Sequence, residues 1–579
     1  MDILYNNRPL ERILIGLNAA ATAAVVGIAF GDFGYYEPLF SQQMTYAILI
    51  CSTLFFIAEK IIRFFNARSK KDYFAARWFE LIFVGLLLIL FYYAGALWAM
   101  SIYLLLEIIT KICRTLVNLA ASGKSPAVAM VGIFIFLILT GTVLLMLPKS
   151  STARSLNFID SLFTATSATC VTGLVVKDTG ADFTIIGQTV ILALIQLGGL
   201  GIVIFGAVFA LFFGQALNVR QSVAMQDLLN AQTVSRIANI ITFIFIATVS
   251  IEAVGAVCLY NMWDISTLPT DPFHGRWFYS IFHSISAFCN AGFGLFSDSL
   301  VKYNMNWRIY AVICPLIILG GLGFFVLYNI AYILKDKIRH IIMKKMRPWQ
   351  KFETGQPKRL QLQTKIVLFV SSVLIIFGIF FLLAIQNNTG KEKIDLADAF
   401  FQSVTARTAG FNSIDINALS APAKMILMIL MFIGGSPGSA AGGIKTVTLA
   451  VLIMAVYSTI RKRTEVEIFN RCIPLVIVGK AITVILMFTA VLFAATFLLA
   501  VTEKHSSFET SAIAFEAASA LGTVGLTCGI TPALTTAGKI IIIITMLIGR
   551  LGPLTLLATM TFNIKPARFN YPTEAVVVG

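Results

Sequence analysis

The residues of this chain with the most specific chemistry are four glycines rather than any acid, base or nucleophile. Gly173, Gly292, Gly410 and Gly525 close four short motifs at intervals of 119, 118 and 115 residues. The motifs read Ala168-Thr-Cys-Val-Thr-Gly173, Ala287-Phe-Cys-Asn-Ala-Gly292, Thr405-Ala-Arg-Thr-Ala-Gly410 and Ala520-Leu-Gly-Thr-Val-Gly525. A phenylalanine stands ten residues before each glycine, at Phe163, Phe282, Phe400 and Phe515, so the register extends beyond the glycine itself. Glycine accepts dihedrals that a Cβ forbids, which lets a loop turn its carbonyls inward. Rings of such carbonyls can replace the hydration shell of a potassium ion. The expected ligands are the carbonyls of the two residues before each glycine: Val171 and Thr172, Asn290 and Ala291, Thr408 and Ala409, Thr523 and Val524. One glycine would read as a helix-packing residue; four in register point to a filter.

A second cluster interrupts an apolar stretch. Gly434, Gly435, Ser436, Pro437, Gly438, Ser439, Ala440, Ala441, Gly442, Gly443, Ile444 and Lys445 contain five glycines and a proline, and cannot sit there as a stable helix. Non-helical backbone at membrane depth is tolerated only against protein or a wet cavity. This loop is therefore expected inside the membrane, 24 residues after Gly410. Arg550, in Ile548-Gly-Arg-Leu-Gly-Pro553, is an ionisable residue in another apolar stretch, and such residues face cavities and mark paths. The alternative is an ion pair with Glu516 or Asp398. Lys445 and Arg407 carry the same ambiguity.

The elements that must position these residues follow from hydropathy. The chain has 579 residues, 58% hydrophobic and 12% charged, too few charges to clothe a soluble protein of this size. Each motif follows about ten moderately apolar residues, enough for a half-helix but not for roughly 30 Å of hydrocarbon, and lies between two long apolar segments. We expect spans at 127–148 and 184–213, 237–262 and 307–334, 363–386 and 422–460, and 475–502 and 534–562. These define unit 1 (127–214), unit 2 (237–334), unit 3 (363–460, with the loop at 434–445) and unit 4 (475–562), followed by a tail at 563–579. Residues 1–126 hold about four more apolar segments, near 13–30, 44–65, 79–93 and 94–110, giving twelve spans. The expected fold class is an all-α polytopic membrane protein with four span, pore half-helix, span repeats around one pore and an N-terminal bundle of about four transmembrane helices. The first segment, 13–30, is read as a retained span because no small-residue cleavage site follows it.

The net charge of +16 concentrates in basic linkers, chiefly 335–361 and 461–471. The positive-inside rule makes these cytoplasmic, puts the N-terminus inside, and brings all four loops in from the other side. The expected location is a cell (inner) membrane, with lipid rather than nucleic acid as partner. In residues 1–126, Phe55-Phe-x-x-Glu59-x-x-x-Arg63 faintly suggests a voltage sensor, but only Lys111 and Arg114 could serve on a fourth helix. An accessory bundle is the plainer reading.

The fourfold layout, with loops such as Cys289-Asn-Ala-Gly-Phe293, Arg407-Thr-Ala-Gly-Phe411 and Leu521-Gly-Thr-Val-Gly-Leu526, resembles the Ktr/Trk/HKT potassium transporter family, most nearly the Ktr-type membrane subunit. The resemblance covers roughly 127–579. It implies a potassium-selective uptake pore, since all four filter positions hold glycine. In some plant relatives a serine in the first repeat, here Gly173, accompanies sodium transport. It also implies a gate at the 434–445 loop, an arginine (Arg550) close to the pore below the filter, a homodimer, and a separate cytoplasmic nucleotide-binding regulatory subunit. No covalent cofactor is implied, potassium is the permeant ion, and coupling to sodium or protons stays open. The alternatives are a sodium-conducting relative and an intramembrane hydrolase. The hydrolase has little support: His274, His283, His340 and His505 are dispersed with no His-Glu-x-x-His, and Ser122-Gly-Lys-Ser125 lacks the first glycine of a phosphate-binding loop. No enzyme activity is expected.

Overall fold

Long apolar segments fold as helices in a bilayer because only internal hydrogen bonding satisfies their backbone there. The computed structural model describes residues 6–96, 99–108, 110–111, 126–153, 156–201, 237–264, 275–304, 306–346, 359–389, 393–463, 465–506 and 508–553. The expected ends of the second spans of units 1 and 4 (202–213 and 554–562), part of the basic linker (347–358), the tail and most of 112–126 lie outside the described residues.

The N-terminal region forms α1 (Arg8–Gly34), α2 (Gln42–Asn66), α3 (Lys70–Ala94) and α4 (Ala99–Ile108). The segments expected as spans at 79–93 and 94–110 fall on α3 and α4. The bundle buries Phe56, Tyr103 and Leu104 and an ionic network in which Lys60 pairs with Glu107, and Arg63 with Glu11 and Glu59, both at 3.1 Å. Lys111 lies 3.5 Å over the Phe56 ring. The bundle meets the rest of the chain at residues 147–149, where Lys149 donates to the Asp32 carbonyl at 3.2 Å and Leu147 packs on Gly34.

Each unit is a long or broken pair of helices around a short one. Unit 1 has α5 (Pro126–Leu145), α6 (Phe158–Thr169) and α7 (Ile185–Leu200). Unit 2 has α8 (Ile237–Leu259), α9 (Arg276–Phe288), α10 (Trp307–Leu322) and α11 (Phe324–Met346). Unit 3 has α12 (Leu362–Thr389), α13 (Leu396–Thr405), α14 (Ala421–Phe432) and α15 (Thr446–Ile460). Unit 4 has α16 (Leu475–Thr502), α17 (Thr510–Gly522) and α18 (Thr536–Leu551). The short helices α6, α9, α13 and α17 run into the four glycine motifs.

The second span of unit 2 departs from expectation. Segment 307–334 is not one continuous helix: α10 and α11 meet at Gly323, φ +87°, with a bend of 102°. Gly201 (φ +79°) and Gly552 (φ +81°) end α7 and α18 in the same way, because a left-handed residue cannot continue a right-handed helix. Among the described residues, five helices are long and apolar enough to span a bilayer, six if the bent pair is counted as one. The helix α11 also carries the first part of the basic linker. The linker at 461–471 is partly strand: β1 (Val466–Ile468) pairs antiparallel with β2 (Arg471–Ile473), a small exception to an all-α fold.

Packing closes the four units on themselves. Within each, the first helix, short helix and second helix touch; between units, α7 packs on α9, α10 on α13, α14 on α17, and α18 on α6. Two of these seams carry polar links: Tyr310 of α10 donates to Asp398 of α13 at 3.1 Å, and Lys539 of α18 pairs with Asp160 of α6 at 2.7 Å. The last unit is thereby tied to the first.

Candidate functional site

Where the four short helices end, their chains meet. Val171, Asn290, Thr408 and Thr523 have φ of +57°, +58°, +81° and +50°, and the four motif glycines have φ of +89°, +69°, +80° and +95°. The residue between each pair has negative φ. Alternating handedness turns successive carbonyls to one side, a conformation unfavourable for the four non-glycine residues and held by what surrounds them. The amides are tied back to the helices. Thr172, Ala291 and Val524 donate to the carbonyls of Ser167, Ser286 and Ser519 at 2.8, 2.8 and 2.9 Å. The hydroxyls of Ser167 and Ser519 accept from Gly173 and Gly525, each at 3.1 Å, and that of Ser286 donates to the Phe293 carbonyl at 2.7 Å. Unit 3 differs: Val404 stands at the serine position, and Ala409 and Gly410 both donate to Thr405, at 2.9 and 3.4 Å.

A Cβ built on each glycine would come within 3.0 Å of the carbonyl oxygen that precedes the next unit's glycine: Gly173 against Ala291, Gly292 against Ala409, Gly410 against Val524, and Gly525 against Thr172. The four loops therefore form a closed ring in chain order. Among the described residues no protein donor reaches the carbonyls of Thr172, Ala291, Ala409 or Val524. On one side of the ring lies a cavity of about 260 Å³, open to solvent, bounded by all four glycines and by Lys177, Asp178 and Thr179. The arrangement can replace the water around a dehydrated monovalent cation with backbone oxygens and feed it from an aqueous vestibule.

The 434–445 segment is a loop whose ends touch: Ile433 and Ile444 bridge, and Gly434 donates to the Ile444 carbonyl at 2.9 Å. Its first half is strapped to the break in unit 2. Ser436 donates from its backbone to Gly321 at 3.0 Å and from its hydroxyl to Leu322, and Phe324 donates to Gly438 at 3.0 Å. Pro437 lies against Gly323, and the Ser439 hydroxyl closes the turn on the Ser436 carbonyl at 2.7 Å. Its second half passes beneath the ring, where a Cβ on Gly442 would strike the Thr523 side chain. Gly443, φ +66°, turns the chain out into α15.

Arg550 reaches this loop. Its guanidinium donates to the Ala440 carbonyl at the loop tip and to the Gly198 carbonyl of α7. No ion pair with Glu516 or Asp398 forms: Glu516 accepts from the Thr527 and Thr531 hydroxyls, and Asp398 from Tyr310. Lys445 donates to Ala441 within the loop at 2.7 Å, and Arg407 bonds Ser371 through its carbonyl and hydroxyl, both at 3.3 Å. Arg407 thus lies behind the ring rather than in it.

The family model described as a cation transport protein, TrkH, matches residues 103–570. The chain belongs to the TrkH family of cation transport proteins. Within its wider relatives, the Ktr system potassium uptake protein B of Bacillus subtilis (strain 168) is 38% identical over 460 residues, 78% of this chain and 96% of that protein. The potassium/sodium uptake protein NtpJ of Enterococcus hirae is 37% identical over 467 residues, 79% of this chain and 97% of that protein. The crystal structure of the potassium transporter TrkH from Vibrio parahaemolyticus matches with a TM-score of 0.57 at 16% identity, over 96% of this chain and 97% of that one, a likeness of fold.

One register of this TrkH-family chain escaped the sequence reading. Gly198-Gly-Leu-Gly201, Gly320-Gly-Leu-Gly323 and Gly549-Arg-Leu-Gly552 recur at the ends of α7, α10 and α18. The first glycine of each packs on a carbonyl of its own short helix: Thr169, Phe288 and Leu521. The second position is Gly199, Gly321 and Arg550, so the arginine occupies a place where two other units have no side chain.

Proposed function

We propose that this chain is the membrane-embedded, potassium-selective translocating subunit of a potassium uptake system. The ring of four glycines with the carbonyls of Thr172, Ala291, Ala409 and Val524 between them carries this reading. The residues one step further back, Val171, Asn290, Thr408 and Thr523, add a second layer of carbonyls. The short helices end at the ring, so their partly negative C-termini point at the cation. Uptake runs down the membrane potential, where ~2.3 kcal/mol per 100 mV sustains a gradient of about fiftyfold. The names of the Ktr relatives support potassium, and that of NtpJ keeps sodium as the second reading.

The loop from Gly434 to Lys445 is the gate in this proposal, obstructing the path below the ring, with Arg550 holding it and supplying a positive barrier to the passing ion. The finer assignments belong here too: the four unit boundaries, an inner-membrane location with the N-terminus inside, a homodimer, and a cytoplasmic nucleotide-binding regulatory subunit. The relatives' designation as one protein of a Ktr system favours a separate partner chain. The test is potassium against sodium flux into proteoliposomes, for the parent and for Gly410→Ser. The parent passes potassium selectively and the variant loses that preference; a parent that moves neither ion, with or without a co-purified partner, removes the filter reading.

A further inference from the structure

The filter leaves one buried carboxyl group without a role. Glu252 lies in α8, two turns before its C-terminal end, and is 7% exposed. Its Oε2 accepts from the Gln196 amide of α7 at 3.1 Å, and its Oε1 lies 3.9 Å from the Cys289 thiol. Its main-chain carbonyl accepts from the Ser284 hydroxyl at 2.7 Å. Cys289 immediately precedes Asn290 and Ala291, so the carboxyl group is packed directly behind the carbonyl-bearing loop of unit 2. Units 1 and 3 place an isoleucine there. Gly141, Gly255 and Gly378 each face the short helix of their own unit, and three residues before them stand Ile138, Glu252 and Ile375.

Among the described residues no lysine or arginine pairs with Glu252. The packed helices carry Arg276, Tyr279 and His283 on α9, with Cys289 at its C-terminal cap, Arg308, Tyr310 and Cys314 on α10, and Tyr328, Tyr332 and the charged run from Lys335 on α11, and of these only Cys289 is bonded to the Glu252 carboxyl group. His283 is turned to Tyr279 and Leu295, Tyr310 to Asp398, and Tyr328 to Phe243. The Arg550 guanidinium is spent on the Ala440 and Gly198 carbonyls rather than on the carboxylate. A carboxylate buried at membrane depth is costly without a counter-charge. The cation that passes nearest is the one in the ring.

We propose that Glu252 is a positioning residue of the unit 2 loop, and that its proton and the cation in the ring exclude one another. Ionised, the carboxylate draws the cation into the ring; protonated, it donates to its neighbours and the ring holds the cation less tightly. The inference rests on the filter reading above. By linkage, each binding event weakens the other by the same factor.

The experiment is potassium flux into proteoliposomes carrying the full chain, measured against potassium concentration at pH 6 and pH 8. In the parent, the half-saturating potassium concentration falls roughly fivefold or more from pH 6 to pH 8 while maximal flux holds. Glu252→Gln keeps the weaker pH 6 value at both, and Glu252→Asp restores the dependence. A parent whose half-saturation ignores pH, or a Glu252→Gln variant that keeps the parent's dependence, overturns the proposal. Should Glu252→Gln not fold, the parent's potassium-induced rise in unfolding temperature in detergent decides the matter. A rise that grows from pH 6 to pH 8 supports the linkage and an equal one refutes it. A parent that moves no ion at either pH instead removes the filter reading itself.

Discussion

Replacing Arg550 by alanine tests what holds the loop in place. The guanidinium donates to Ala440 at the loop tip and to Gly198 in α7, and only the Ala440 bond breaks if the loop swings away. A hydrogen bond from a charged donor contributes about 1.5–3 kcal/mol. At ~1.4 kcal/mol per tenfold, its loss moves the balance between seated and displaced loop roughly ten- to a hundredfold toward displaced. Removing the charge also lowers the barrier to a passing cation, by about 2 kcal/mol at a separation of ~8 Å and an effective dielectric constant of ~20. Arg550→Lys separates the two effects, since it keeps the charge but loses the fork that spans both carbonyls. In potassium flux assays at equal protein density, Arg550→Ala is the fastest, Arg550→Lys intermediate and the parent slowest. A folded Arg550→Ala protein with flux at or below the parent's refutes the reasoning.

Deleting Ser436 to Gly443 raises flux in the same assay, and the deletion can be bridged because Gly434 already donates to Ile444 at 2.9 Å; lower flux from a well-expressed deletion counts against the gate. The Asp160–Lys539 pair, with side chains 11% and 15% exposed, joins unit 4 to unit 1. Asp160→Asn leaves a largely buried ammonium unpaired and lowers stability by about 3 kcal/mol, read as thermal unfolding in detergent. Combining Asp160→Lys with Lys539→Asp recovers part of that loss, and a double variant no better than its singles shows the pair is incidental.

The four ring glycines were legible because each is required twice over, by a positive φ and by a neighbouring carbonyl that leaves no room for a Cβ. The 434–445 loop was legible for a related reason, since five glycines and a proline contradict a helix wherever they fall. The breaks at Gly201, Gly323 and Gly552 were not, although their Gly-x-Leu-Gly pattern recurs in the sequence. Hydropathy averages over a window, and a stretch such as Ile317-Ile-Leu-Gly-Gly-Leu-Gly-Phe-Phe325 scores as continuous span whether or not one residue turns left-handed. What Arg550 bonds was beyond reach of the sequence as well. Its acceptors are backbone carbonyls 110 and 352 residues away, and every residue type presents the same carbonyl. Glu252 went unnoticed for want of a motif around it, although a carboxylate deep in an apolar helix is itself the signal.

Carrying four unlike quarters on one polypeptide frees the pore axis from rotational symmetry. In an assembly of four identical subunits, whatever approaches the axis arrives in quadruplicate. Four guanidinium groups in the place of Arg550 would repel one another by about 4 kcal/mol for each pair at ~4 Å and an effective dielectric constant of ~20, and four twelve-residue loops would compete for one volume. Here Arg550 stands at the position that Gly199 and Gly321 hold in units 1 and 2, and the twelve-residue loop beneath the ring comes from unit 3. A single plug with a single latch can be moved by one event on one side of the pore, whereas a symmetric channel must shift four walls together.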